Sequence, residues 1–365
     1  MAVAIVSIIC IAMIIVGGMT LSQGILTSAD SAATNVESIS VREGDMMRTD
    51  LTTVRAVQLS WADYLRVTVK NNGQTKLASF DKWDIIVSYF DGIGTIHSIW
   101  LPYSDSIPGN NEWQNARIGL YGPTEFFEPG ILNPSEEMVV LARLNPLPGA
   151  STDVNVSLTT PNGIYDTMTF FNLGYTRLTP QSENITIAGT RYYELVEGAP
   201  ADGASMTCKA EFAENVSGRI ILSSVDQPSR SAKYIFPLIG IDGIPAGTWT
   251  VYYRCFIGGD GVFPREDDDV CFNIDIIVRK ADGSVRATIA AGVASAFINT
   301  GNQGVWMTLN GSYAFPGYTV IDGNDYLEID YYGQTSQGPD GGPGYMQLIM
   351  DDSTLPVTDQ TRIEA

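Results

Sequence analysis

The chain has 365 residues, 44% of them hydrophobic, with 36 glycines and 17 tyrosines, which is the composition of a folded protein rather than a disordered one. Lys and Arg number 21 against 41 Asp and Glu, and the formal charge of −20 excludes nucleic acid as a partner because phosphates would be repelled. A single histidine, His97, leaves the chain without the residue on which most acid–base, nucleophilic and zinc chemistries lean, so no enzyme is expected.

Met1 to Ala29 contains no charged side chain, and the first charge is Asp30. That run exceeds the roughly 20 apolar residues needed to span a bilayer. It lacks the basic n-region and small-residue cut site of a cleaved secretory signal. No Lys or Arg precedes it, so the positive-inside cue of a simple anchor is missing, and a short basic leader removed just before Met1 is expected. Beyond Ala29, Val36, Ile39, Met46, Met47, Leu51, Val54, Val57 and Leu59 keep apolar spacings near three and four among charged residues. No proline occurs before Pro102, so the spacing predicts one helix over 1–62. A charge-free helix prolonged as an amphipathic one, and joined to β-structure, suits a subunit that leaves the membrane by bundling with copies of itself. Ile5, Ile8, Ile11, Ile15, Leu21 and Ile25 are its expected core contacts.

Between residues 64 and 171, strands are predicted near 64–71, 83–91, 95–101, 116–120, 137–144, 153–159 and 164–171. In the first, Leu65, Val67 and Val69 alternate with Arg66, Thr68 and Lys70, the period of a strand buried on one face. Asn72-Gly73 follows as a tight turn of two residues that accept positive φ. Seven strands at this spacing predict a sandwich over 63–172. His97 reads as a strand or surface residue, and Trp61, Trp83, Trp100 and Trp113 as core or subunit contacts before a sugar platform.

Residues 173–185 are polar and aperiodic and read as a linker. From 186 to 365 about ten strand-like runs follow, the clearest being RYYELVEG, KYIFPLI, TWTVYYRCF and CFNIDIIVRK, with Ala281-Asp282-Gly283 as a hairpin signal. Cys255 and Cys271 end and begin two such runs and are the expected disulfide, with three buried thiols, or pairing through Cys208, as competing readings. Sequons begin at Asn155, Asn184, Asn215 and Asn310, so N-glycans are expected. Asp267, Asp268 and Asp269 supply oxygen ligands of the kind calcium takes, although a solvated acidic loop is the favoured account. No cofactor is expected otherwise.

The chain resembles the archaellins, subunits of the archaeal swimming filament within the type IV pilin-like superfamily. The resemblance rests on AVAIVSIICIAMIIVGGMTLSQGIL, on LRVTVKNNGQTKLASFDKWDIIVSYFDG at 65–92, on LNPSEEMVVLARL at 132–144 and on VNVSLTTPNGIYDTMTF at 154–170. It covers about residues 1–175. Bacterial type IV pilins carry a glutamate at mature position five, whereas Ile5 stands here, which looks more like archaellins. The expected class is α+β: the resemblance implies a long N-terminal hydrophobic helix and an immunoglobulin-like β-sandwich, while the strand pattern of 186–365 separately resembles the antiparallel jelly-roll sandwiches of phage appendages and carbohydrate-binding modules. The resemblance to archaellins implies an extracellular filament with bundled helices as core and β-domains as sheath, inserted in the membrane before assembly by a pilin-like export machinery. An adhesive pilus subunit, a membrane-anchored stator-like accessory protein and a surface carbohydrate-binding protein remain open alternatives.

Overall fold

The computed structural model describes residues 2–59, 63–119, 128–174, 177–187, 190–197, 206–212, 218–225, 230–238, 241–259, 270–296, 298, 304–335, 344–350 and 355–365. Helix α1 (Ala2–Arg48) is 47 residues long, about 70 Å at the 1.5 Å rise of an α-helix. It projects from a body made almost wholly of antiparallel β-structure, and the α+β class read from the sequence is the observed one.

The helix stops fourteen residues before the expected boundary at 62, because Leu51–Gln58 is a strand, β1, and not its amphipathic continuation. β1 lies antiparallel to β2 (Tyr64–Asn71) and is bulged between Thr53 and Arg55. The bulge leaves Leu51, Thr53, Ala56 and Gln58 buried, whereas Val54 and Val57, whose spacing suggested a helix, lie exposed and half-buried. The β-branched run Thr52-Thr53-Val54 favours the strand.

Six strands complete the first β-domain: β3 (Asp84–Phe90), β4 (Ile96–Leu101), β5 (Glu112–Ile118), β6 (Glu137–Arg143), β7 (Thr152–Thr159) and β8 (Tyr165–Asn172). They form two four-stranded sheets, ordered β1-β2-β6-β5 and β4-β3-β7-β8. Between the sheets lie Leu65, Val67, Val69, Val87, Val140, Val156, Trp83 and Trp113, the inward sets of alternating strands.

β2 is buried on both faces, against expectation. Its second face carries Tyr64, Arg66 and Thr68, and together with Val139 and Leu141 of β6 it packs on the second domain. Arg66 donates from Nη2 to the Pro237 carbonyl at 3.1 Å and stacks over the Phe236 ring, 4.8 Å from its centroid. The uninterrupted run Met138–Ala142 in β6 is what a strand covered on both sides requires.

The second domain starts inside the segment read as a linker, since β9 (Arg177–Ile187) is already a sheet strand. Then follow β10 (Thr190–Glu197), β11 (Thr207–Phe212), β12 (Gly218–Ile221), β13 (Ser223–Ser224), β14 (Lys233–Pro237), β15 (Gly243–Ile244) and β16 (Gly247–Gly259). The series ends with β17 (Val270–Arg279), β18 (Val285–Ala294), β19 (Met307–Phe315), β20 (Tyr318–Thr319), β21 (Tyr326–Thr335), β22 (Gly344–Ile349) and β23 (Arg362–Glu364). Apart from the pair β15-β20, these strands form one 13-stranded sheet in which β16 and β21 are five pairings apart. A flat sheet would separate them by about 24 Å at about 4.8 Å per step. The Tyr253 and Tyr331 rings instead meet at 6.3 Å, and Tyr253 donates to the Val293 carbonyl at 2.7 Å, so the sheet rolls over and encloses its own core. On the opposite face of β21, the fully buried Glu328 is held by Arg279 at 2.5 and 2.9 Å, and Arg219 bridges Asp275 and Asp330.

Candidate assembly surface

The feature that stands apart is the helix. Ile8, Ile11, Ile15, Leu21 and Ile25 are each more than half exposed, and nothing among the described residues covers them. For Ile5 the helical backbone alone is described. A row of large aliphatic side chains facing solvent is unfavourable by roughly 1.5–3 kcal/mol per side chain relative to burial. The helix is long and apolar enough to cross a membrane. Either lipid or protein must cover it.

The joint between helix and β-domain is tightly bonded. Thr49, itself buried, donates from Oγ1 to the Asp45 carbonyl at 2.7 Å and accepts from Asn162 Nδ2 at 2.7 Å. The 72–74 loop caps the helix end: Gln74 N donates to the Arg48 carbonyl at 2.7 Å, and Asn72 N and Gly73 N donate to the Asp50 carbonyl at 2.9 and 3.1 Å. A Cβ on Gly73 would collide with the Asp50 amide nitrogen and the Arg48 carbonyl oxygen. Gly73 is not at positive φ, so the turn read from Asn72-Gly73 has another cause: the glycine lets two backbones touch. These bonds fix the direction in which α1 leaves the body.

Cys255 and Cys271 are both free thiols, so the expected bridge is not formed. Their strands are not neighbours: Cys255 lies between Met307 and Leu348, whereas Cys271 pairs with Gln334. Cys208 and Cys255 flank Leu348 from opposite sides, two strand spacings or about 9.6 Å apart, beyond disulfide reach. Burial pushes the Cys208 and Cys255 thiols up to about 12. These are inert core groups.

Asn155 sits on β7, half-buried, donating to Thr169 Oγ1 at 2.9 Å, and Asn310 is exposed on β19. Asn184 belongs to β9 with its side chain outside the described set, and Asn215 lies outside the described residues altogether. So do Asp267, Asp268 and Asp269, and among the described residues no group of His, Cys, Asp or Glu is arranged to hold a metal ion.

His97 is a structural residue of the β3–β4 hairpin. Its Nε2 lies 2.9 Å from Asp91 Oδ2 and its ring stacks on Tyr89 at 5.3 Å. Asp91 also accepts from the amides of Ile93 and Thr95 at 3.0 and 2.8 Å. The hydrogen bond to His97, helped by those amides and opposed by burial, holds the Asp91 carboxyl below its usual range. Trp83 and Trp113 are buried and Trp100 is exposed, donating to Asp84 at 2.8 Å, so these three form no exposed row; Trp61 lies outside the described residues. The sequence reading missed Arg66, Asp91 and Thr49. Only the apolar run in β6 signalled the buried domain interface.

No protein-family model and no curated protein matches the chain. Among solved structures it is similar to the archaellum periplasmic stator protein complex FlaF and FlaG from Sulfolobus acidocaldarius, at 16% identity and a TM-score of 0.24 over 33% of this chain and 87% of that one. The stator protein FlaG alone gives the same identity and TM-score, with 99% of its own length covered. The VP2 subviral particle of infectious bursal disease virus covers 87% of this chain at 10% identity and a TM-score of 0.21. Likeness at this level carries no functional argument.

Proposed function

We propose that this chain is the major structural subunit of an archaellum-like, type IV pilin-like extracellular filament for swimming motility. In it the helices of many copies bundle as the core and the β-domains form the sheath. The observation that carries the reading is an α1 that is charge-free from Ala2 to Ala29, exposed over most of its described length and bonded at its base to the first β-domain. Before assembly the apolar run resides in the membrane, and a pilin-like machinery transfers it from lipid to a protein-lined core. Copies join head to tail, because an open helical contact makes a fibre where a closed one makes a ring. The acidic body keeps the sheath soluble outside the cell. No catalytic step, metal or cofactor is part of this proposal, and glycans on exposed sequons such as Asn310 would decorate the surface.

A stator-like membrane-anchored protein is the second reading, favoured by the length of the apolar run, which suffices for a single span. Replacing Ile8 or Ile15 with Asp separates the two. An unpaired carboxylate in a protein-lined core is costly, so filaments are expected to vanish while the β-domains keep their folded circular-dichroism signature. Normal filaments from either variant would reject the bundled core.

A further inference from the structure

We propose that the second β-domain binds a small oxyanion, a carboxylate or phosphate group, against the guanidinium of Arg230 and the hydroxyl of Tyr193. The site goes beyond the assembly reading and does not depend on it. Arg230 is 4% exposed, and its Nε and Nη1 are enclosed with no hydrogen-bond partner among the described residues. Its Cζ lies 4.6 Å from the centroid of the Tyr193 ring. Tyr193 is buried as well, and its hydroxyl too is enclosed without a partner among the described residues. Other arginines of this domain show what is missing: Arg219 faces Asp275 and Asp330, Arg279 faces Glu328, and Arg286 faces Asp325. Arg230 faces no such carboxylate among the described residues.

A charge taken out of water with no counter-charge is among the costliest arrangements in a fold, because the lost hydration is not repaid. Stacking on the Tyr193 ring offsets only part of that loss. The backbone around the arginine is pinned: Ser224 N donates to the Arg230 carbonyl at 3.0 Å, Ala232 N donates to the Leu222 carbonyl at 2.9 Å, and Ser223 and Ser231 form a β-bridge. The tyrosine is fixed from the other side. Tyr193 on β10 stands opposite Tyr234 on β14, their rings stack at 5.3 Å, and Tyr331 meets the Tyr234 ring edge-on at 5.6 Å. Both donors are therefore held in place before a ligand arrives, which lowers the cost of binding one. Their chemistry selects the occupant. A guanidinium only donates and is always charged, and the phenol hydroxyl beside it can donate too, so the group that satisfies both is an acceptor carrying negative charge. An ordered water would accept the hydrogen bonds and leave the charge uncompensated. Groups this enclosed are reached by a small ion and not by the surface of a second protein.

The test is equilibrium dialysis of the full chain in detergent micelles, with radiolabelled inorganic phosphate and radiolabelled acetate as separate probes in a chloride buffer of fixed ionic strength. Saturable uptake approaching one ion per chain is expected for at least one probe. Uptake of phosphate alone assigns the site to phosphate groups, uptake of acetate alone assigns it to carboxylates, and uptake of both supports a site that reads charge. Arg230→Met keeps an unbranched apolar stem over Tyr193 and removes the charge, so its affinity should fall at least ten-fold. The bound probe should also raise the thermal unfolding midpoint of the wild type and leave that of Arg230→Met unchanged. Tyr193→Phe removes one hydroxyl without altering the ring, and serves where Arg230→Met does not fold; its affinity should fall about three-fold or more. The proposal is overturned if the wild type takes up neither probe saturably, if Arg230→Met binds as the wild type does, or, where that variant does not fold, if Tyr193→Phe binds as the wild type does.

Discussion

Gly73→Ala should loosen the base of the helix. The new Cβ would meet the Asp50 amide and the Arg48 carbonyl, both backbone atoms that no rotamer change can move. Relief requires the 72–74 loop to withdraw, which strains the bonds from Gly73 N and Asn72 N to Asp50 O and from Gln74 N to Arg48 O. Overpacking of this kind costs about 1–3 kcal/mol, and each weakened hydrogen bond adds about 1 kcal/mol, so a local loss of about 2–5 kcal/mol is expected. Because a chain with two β-domains has no single unfolding free energy, the assay is hydrogen exchange resolved by residue. Amides of 49–53 and 72–75 should exchange roughly 30-fold or more faster, while those of β17 and β21 stay unchanged. Gly92→Ala, where no atom lies within 4 Å of the new Cβ, is the control and should match the wild type. Wild-type protection at 49–53 in Gly73→Ala would refute the claim that close backbone contact holds the joint.

Three further outcomes follow from the packing. Arg66→Ala removes the bond to Pro237 O and the stacking on Phe236, about 2–4 kcal/mol across the domain interface; urea unfolding followed by separate probes of the two domains should split into two transitions, and coincident transitions identical to wild type would contradict a bonded interface. Asp91 has a folded pKa below its ordinary 3.8, so its contribution is present above about pH 4 and lost as pH falls through the lowered folded value. The stability gap between wild type and Asp91→Asn should therefore close on acidification from pH 6 to pH 2.5, and a gap that widens would reverse the sign assigned. Unfolded without reductant, the chain should take up four thiol-reactive labels, whereas in the folded chain Cys208 and Cys255 should stay unlabelled at pH 8; a mass two hydrogens short would reveal a disulfide.

How far the sequence can be read depends on whether a signal is local. Strands of the first β-domain whose sequence alternates are legible: β2 occupies the predicted 64–71 and β7 lies within a residue of its predicted start, whereas β5 begins four residues before the predicted 116. The helix end is not legible, because Leu51, Val54 and Val57 recur every three residues as on a helix, whereas β1, bulged at Thr53/Arg55, buries Leu51, Thr53, Ala56 and Gln58. The short strands β13, β15, β20 and β23 hold few residues and gain their order from partners far along the chain, which no local period records. The role of Gly73 escapes for the same reason, since turn chemistry explains an Asn-Gly pair without reference to Asp50. The disulfide expectation failed because strand order places Cys255 beside Leu348 and Cys271 beside Gln334, an arrangement unrelated to their closeness in sequence. The apolar run is legible at once: an absence of charge over 29 residues needs no tertiary context to be noticed.

The central claim is that α1 is covered by other copies of itself. Electron cryo-microscopy of material sheared from intact cells tests it directly. The account predicts filaments built from this one polypeptide, with residues 2–48 helical around the axis and both β-domains outside. Recovery of the chain only from detergent-solubilised membranes, with no such filaments, would contradict it.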